Sequence, residues 1–570
     1  MATSRASTRA VPHDASVTKL LRMAAVGAPL AAALLVWGLS LPQIDLYSLG
    51  DYGLPPDLPL GWYVAFAVCV SGALVHACAG RTRWAWAYLF GVVAVLFLTL
   101  PLLAQQPHYS WVYKHIGVVR YIGEFHRVEA DIDIYHRWPG FFALNAVFGS
   151  AGGMPNPVSF AAWSEFFFTT LNLLIVANVV RVVTGSRQIP VVAGLLFLSF
   201  NWVGQTYFSP QAMTYFFHLS ILWLVVTQLG RDDLGPLGRA VVRLGSLIAR
   251  RPQDMTLPAG HRWMPQWAAI TAVFLLHAAI VASHQLTPYL LVLEVGALTL
   301  LGLVRRRLLV VGLLVVAVAY LAPHLDFVQS HFGLFDSVDP VRNVQRSTNY
   351  NFSPQSGKIF NERASQALVI LMLLGAAVSA LVLARRGLGA RALLLLVLAL
   401  SPISVIVGQD YGGEAPLRVV LFASPWCAAL VAWAFMTAAM TSRRTIMLGV
   451  TVMVTSALFI PAYFGQEELH SVPLDEVRAS EFLHTFGTSP AVVVQAATGF
   501  PRRYGARYPE LRGINGEDYD PSLLQLNSFR HRALGDGDVG RVVDIIEDYA
   551  PRGYVVFNNP ASSPSAYVRR

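Results

Sequence analysis

Asp and Glu number only 33 among 570 residues, so carboxylates that stand among aromatic and basic neighbours are the first candidates for chemistry. In DIDIYHRWPGFFAL (131–144), Asp131 and Asp133 alternate with Ile132 and Ile134. An extended backbone there would turn both carboxylates to one side. Such a pair could hold a divalent cation, Mg or Mn, or one member could take a proton from a hydroxyl. Glu124 is a third acid in the same stretch, with Lys114 and Arg120 before the pair and Tyr135 and His136 after it. Lys and Arg beside a carboxylate are what a phosphate leaving group and a proton acceptor require together.

Three shorter segments repeat this mixture. GQTYFSPQ (204–211) contributes Gln205, Tyr207 and Gln211, and SHQLTP (283–288) contributes His284 and Gln285. GQDYGGEAPLR (408–418) contributes Asp410, Glu414 and Arg418. Some of these residues have ordinary structural uses. Ser209 and Thr287 suit helix N-caps, with Pro210 and Pro288 in the first turn. Glu414 and Arg418 suit an i,i+4 ion pair. Capping does not account for the Gln, Tyr and His side chains, which must meet each other or a ligand where water is scarce.

The elements that would carry these groups are apolar. Segments near 20–42, 60–79, 84–104, 163–183, 189–204, 212–228, 267–283, 288–304, 308–323, 365–384, 392–408, 418–439 and 446–463 approach the length that crosses a hydrocarbon core of about 30 Å. The expectation is an all-α polytopic membrane protein with about thirteen spans. Hydrophobic residues make up 55% of the chain and charged residues 13%, far from the roughly 25% charged of a soluble domain. The net charge of +9 does not indicate nucleic acid, because the basic residues recur in every second connector. That spacing is the positive-inside bias. It predicts a cytoplasmic amino terminus and an outward carboxyl-terminal tail. Lysine occurs only at 19, 114 and 358 while arginine is abundant, the usage expected of a GC-rich bacterium and its plasma membrane. Cys69, Cys78 and Cys427 lie within apolar segments and offer no disulfide framework.

Three regions follow: a basic tail, 1–19; a membrane region, 20–463, with large outer loops at 105–162 and 324–364; and a small extracytoplasmic α/β domain, 464–570. In the first loop, Trp111, His115, Val118, Ile122 and Phe125 share one face of a helix that should lie flat at the membrane surface. Pro139 suits the start of a second such helix, 139–148. In the tail, PAVVVQA (490–496), VGRVVDIIEDYA (539–550) and GYVVFN (553–558) read as strand, amphipathic helix and strand. Within the spans, His277 and Glu294 flank a tight turn at matching distances, which predicts that they meet.

Through WVYKHIG (111–117), DIYHRWPGFF (133–142), WVGQTYFSPQ (202–211) and HQLTP (284–288), the chain resembles the GT-C superfamily of membrane glycosyltransferases. The resemblance covers roughly residues 20–463. It implies transfer of a sugar from a polyprenyl-phosphate donor to a glycan, lipid or protein acceptor on the outer face. Such enzymes carry an acid just after the span before the loop, where this chain reads QQPHYSWVYKH (105–115) without one. The base is therefore sought at Asp131, Asp133 or Glu124, and phosphate binding at Lys114, Arg120 and Arg418. Three other classes stay open: an O-antigen ligase or polymerase, using His324, His331, Arg342 and Arg346, a transporter or flippase, using His277 and Glu294, and a non-catalytic assembly protein.

Overall fold

A computed structural model describes residues 13–104, 106–257, 262–332, 356–408, 414–438, 440–496, 499–514, 522, 523, 526, 529, 535–550 and 552–557. Each of the thirteen apolar segments coincides with a helix: α1 (His13–Ser40), α2 (Leu60–Cys78), α3 (Thr82–Phe97), α6 (Ser164–Thr184), α7 (Ile189–Phe200), α8 (Pro210–Thr227), α9 (Gln266–Val281), α10 (Thr287–Leu300), α11 (Leu308–Leu321), α12 (Ser356–Arg385), α13 (Gly389–Leu400), α14 (Ala415–Met436) and α15 (Ser442–Phe464). The first loop supplies α4 (Ser110–Phe125) and α5 (Gly140–Ala151).

Eight of the apolar segments form helices long and apolar enough to cross a membrane; four others, α3, α7, α9 and α10, are apolar but shorter. At 1.5 Å per residue, the 12 residues of α7 rise about 18 Å. Every residue of α7 is buried, and its main neighbour α14 is 89% buried over its apolar window. A helix enclosed by other helices is not held to the thickness of the bilayer, and the polar turns at 201–209 and 282–286 cut such helices short. α11 lies at the other extreme, in a segment 17% buried, with Val311, Val315 and Val318 exposed for lipid to cover.

The connectors separate by composition into two ends. At one end Asp232 accepts from Arg262 and Arg305, each at 2.8 Å, and Asp254 faces Arg391. The opposite end carries α4, α5 and the carboxyl-terminal elements α16 (Leu474–Phe486), β1 (Ala491–Gln495), β2 (Leu511–Arg512), α17 (Val539–Tyr549) and β3 (Gly553–Val556). The strand, helix and strand expected in the tail are there, as β1, α17 and β3. The sheet order is β2-β1-β3 with both pairs parallel. Alternation along β1 sends Val492 and Val494 towards α17 and Ala491 and Val493 towards Leu483 of α16.

Candidate functional site

The start of the first loop is tied to the end of the last span. Tyr109 bridges Ser471, Val472 N–H donates to the His108 carbonyl at 3.0 Å, and Gln106 donates to the Val472 carbonyl at 3.1 Å. α4 then runs beneath the carboxyl-terminal segment 500–511. The predicted helix is present. Its Val112, Tyr113, Ile116, Val119 and Tyr121 are buried as well as His115, Val118 and Ile122 of the predicted face, because that segment covers the other side, while Trp111 is 41% exposed. Gly117 makes the approach possible: a Cβ there would stand 1.8 Å from the Arg503 carbonyl oxygen.

This junction consumes several of the candidate residues. The Arg120 guanidinium stacks 3.9 Å from the Tyr504 ring and donates to Asn156 Oδ1 at 2.8 Å and to the Tyr504 hydroxyl at 3.0 Å. Asp133 caps the short helix Ile134–Arg137, accepting from Tyr135 N–H at 2.9 Å and His136 N–H at 3.3 Å. Its other oxygen accepts from the Tyr508 hydroxyl at 2.8 Å and faces Arg503 at 3.6 Å. His136 Nδ1 accepts from Glu129 N–H at 3.1 Å, so the proton sits on Nε2 and is donated to the Tyr508 oxygen at 2.9 Å. Burial holds His136 below its ordinary range, against the opposing pull of Asp133 and Glu129.

The expectation that Asp131 and Asp133 point together fails, because residues 130–132 form a turn rather than a strand. The Asp131 side chain is 101% exposed beside Arg137, while that of Asp133 is 6% exposed. Glu124 is exposed on α4.

A second set of residues does converge. His115 is buried, bonded through Nδ1 to the Phe208 carbonyl at 2.8 Å, stacked on Tyr207 and edge-on to Tyr135. Lys114 Nζ lies 4.3 Å over Trp111 and 5.7 Å from the Tyr135 ring. Tyr207 meets Tyr109 at 4.6 Å. Burial first, then Tyr207, Glu414, Glu467 and Glu165, hold the Tyr109 phenol well above its ordinary range. Glu414 is paired with Arg418 at the start of α14, with the Glu414 side chain 46% exposed and that of Arg418 buried. Burial and the Arg418 charge push His284 down to about 3. Gly140 N–H donates to the Ala282 carbonyl at 2.8 Å, which docks the first loop against the α9–α10 turn. A Cβ at Gly140 would meet Ser283 Oγ at 2.5 Å.

Lys114, Tyr135 and Tyr207 thus gather around His115, and the Glu414–Arg418 pair stands within electrostatic range of Tyr109 on one side and His284 on the other, a polar layer drawn from four separated segments. Its cations can bind an anion, and its half-exposed carboxylate can take a proton. Gln205 is half-buried in the turn. Gln211 is buried at the start of α8, and its amide has no hydrogen-bond partner among the described residues. Asp410, Arg342 and Arg346 lie outside the described residues. His324 stacks on Tyr320 and packs against Trp138.

Two polar groups were not anticipated. Beside the layer, Glu165, Glu467 and Glu468 are buried, with Lys358 Nζ 2.9 Å from Glu468 and His108 Nε2 3.6 Å from Glu467. The signal was a rare lysine and a Glu-Glu pair beyond the last span. Inside the bundle, Glu294 meets His218 of α8 at 2.9 Å, not His277, whose Nε2 contacts the Leu313 carbonyl. The turn placed His277 and Glu294 at similar depth, but α8 passes that depth as well.

No family profile and no curated protein matches the chain. Among solved structures it is similar to the oligosaccharyltransferase of Archaeoglobus fulgidus tethered to an acceptor peptide containing the NVT sequon (TM-score 0.43, 13% identity, 87% of this chain and 64% of that chain). It is similar to the apo form as well (0.39, 13%, 87% and 65%). A third neighbour is AglB of the same organism in complex with an inhibitory peptide and a dolichol-phosphate (0.43, 13%, 84% and 63%). The structural neighbours are archaeal oligosaccharyltransferases, and the chain spans less than two thirds of their length.

Proposed function

We propose that this protein is a membrane glycosyltransferase that moves a sugar from a polyprenyl-phosphate donor to a hydroxyl of a cell-envelope glycan, lipid or protein acceptor, on the extracytoplasmic face. The observation that carries the proposal is the convergence of Lys114, Tyr135, Tyr207, His284, Glu414 and Arg418 at the end of the bundle away from the Arg-rich connectors. In the transfer step, the acceptor oxygen attacks the anomeric carbon and the bond from that carbon to the lipid phosphate breaks. The polyprenyl phosphate leaves with the electron pair, and the acceptor proton passes to a carboxylate.

Lys114 and Arg418 stabilise the departing phosphate. Glu414 is the proposed proton acceptor, because its carboxylate is half-exposed beside Arg418. Asp133, with four partners in the junction, holds the first loop in place. The Asp131–Asp133 pair does not fit Mg or Mn, since the two carboxylates diverge, and no step is assigned to a cation.

The test is complementation in the native host with analysis of the envelope glycans, for Glu414→Gln, Asp131→Asn and Asp133→Asn at matched expression. Loss of one glycan with Glu414→Gln and its retention with Asp131→Asn is the expected result. Wild-type glycans from Glu414→Gln would remove Glu414 as the base. Wild-type glycans from all three would shift the balance towards transport or assembly.

A further inference from the structure

We propose that the helix Pro236–Ala249, at the arginine-rich end of the bundle, lies in the membrane surface and binds anionic phospholipid. The proposal is independent of the glycosyltransferase reading. Wound at about 100° per residue, the sequence PLGRAVVRLGSLIA separates into three faces. Gly238, Val242 and Ala249 share one face and are its buried residues. Their small size brings the backbone close to the bundle: a Cβ at Gly238 would stand 2.4 Å from the Leu301 carbonyl oxygen. Leu237, Val241, Leu244, Leu247 and Ile248 share a second face and are exposed, from 39% at Val241 to 73% at Leu247. Arg239, Arg243 and Ser246 share the third, and Arg250 and Arg251 follow directly. The helix contains no Asp or Glu. A stripe of five apolar side chains needs a partner, and the bundle already occupies a different side.

The depth of the helix says what covers the stripe. Just before it, Gly235 N–H donates to the Leu301 carbonyl at 3.2 Å, one residue past the end of α10. Just after it, the Gln253 amide donates to the Ala384 carbonyl in the last turn of α12 and accepts from Gly389 N–H at the start of α13, each at 2.8 Å. The helix is thus strung between the ends of three apolar helices, at the level where hydrocarbon gives way to headgroups. α12 exposes Ile370, Leu371, Leu374 and Val378, so lipid reaches the bundle beside it. An apolar stripe at that level, flanked by guanidinium groups, fits a lipid monolayer. The arginines choose the headgroup. Arg239 donates to the Leu234 carbonyl and faces Asp233, but Arg243 and Arg250 are exposed and pair with no acid among the described residues. Their charge is left for anionic headgroups.

The experiment has two arms, both on the full-length protein. In the first, Leu244→Cys, Ile248→Cys and Arg243→Cys are made singly in a Cys78→Ala background, where the remaining thiols Cys69 and Cys427 are buried. Each is labelled with an environment-sensitive fluorophore in nanodiscs; all three positions are exposed, so the labels leave the fold intact. A nitroxide on the upper acyl chain should quench the labels at 244 and 248 about threefold or more over that at 243. Equal quenching at 243 and 244 would show a water-facing helix and overturn the proposal. Blue-shifted emission at 244 and 248 without quenching would mean that a second copy or another protein covers the stripe, and would overturn it too. In the second arm, native mass spectrometry measures phosphatidylglycerol and phosphatidylcholine binding. Arg243→Gln with Arg250→Gln should weaken phosphatidylglycerol about tenfold or more and leave phosphatidylcholine unchanged. Arg307→Gln, an exposed arginine on another connector at the same end, should leave both unchanged. Equal phosphatidylglycerol affinity of the double variant and wild type would overturn the anionic assignment, as would an equal loss of both lipids.

Discussion

Asp133 and Tyr508 show how a side chain that reads as catalytic in the sequence becomes an anchor in the fold. The Tyr508 hydroxyl receives the His136 proton donor and donates to Asp133, so it is the hinge of a chain of buried hydrogen bonds. Tyr508→Phe leaves the His136 Nε2–H without its acceptor and takes a donor from the carboxylate. Its expected cost is about 1–3 kcal/mol, measured as a lower melting temperature of the purified protein, and an unchanged melting temperature would show that the chain carries no stability. His108 gives a pH-dependent counterpart. Burial pushes its imidazole down to about 4, against 6.5 for the free side chain. Between those values the unfolded chain binds a proton that the folded chain refuses, so stability is complete above about 6.5 and declines as pH falls towards about 4. The loss in melting temperature from pH 7 to pH 4 should be smaller for His108→Asn than for the wild type. Equal losses would mean that His108 protonates without unfolding.

At the scale of elements, α4 was legible in its periodicity and the tail in its alternation of apolar runs. The partner of α4 was not legible. Nothing near Gly117 announces that residues 500–511 will lie against it, since the contact joins segments from opposite halves of the chain. Asp133 was ambiguous for the same reason: an N-cap, a metal ligand and a base all ask for a carboxylate, and Tyr508 and Arg503 decide among them. The helix turns were legible as turns, but depth matching across one hairpin picked His277 because it ignored the third helix that supplies His218. Gly117→Leu tests the junction directly. Its side chain would overlap the Arg503 carbonyl, so the carboxyl-terminal segment has to lift while the apolar helices keep their own packing. Limited proteolysis should then cut near 500–511 in the variant and not in the wild type, with the helical circular dichroism nearly unchanged. Protection of the variant from cleavage would show that the segment is held from elsewhere.

For the molecule as a whole, the two ends of the bundle carry different charges, and the proposed chemistry depends on which one faces outward. Arg231, Arg239, Arg262 and Arg305 belong to connectors at one end and Arg391 to the first turn of α13 there, where Asp232, Asp233 and Asp254 pair with them. The polar layer, α4, α5 and the parallel sheet occupy the other. Arginine-rich connectors are retained on the cytoplasmic side during insertion, so the layer should face outward, where a polyprenyl-phosphate sugar is presented. Cysteine labelling decides the matter. Cys69 and Cys427 are buried and Cys78 is partly exposed, so a Cys78→Ala background has little native reactivity. In it, Asp475→Cys, at a side chain 94% exposed on α16, should react with a membrane-impermeant maleimide in intact spheroplasts. Asp254→Cys, at a side chain 48% exposed among the arginine connectors, should react after permeabilisation and not before. The reverse pattern would put the layer in the cytoplasm, where nucleotide sugars rather than lipid-linked sugars are the ready donors, and the proposed substrate would have to be abandoned with the orientation.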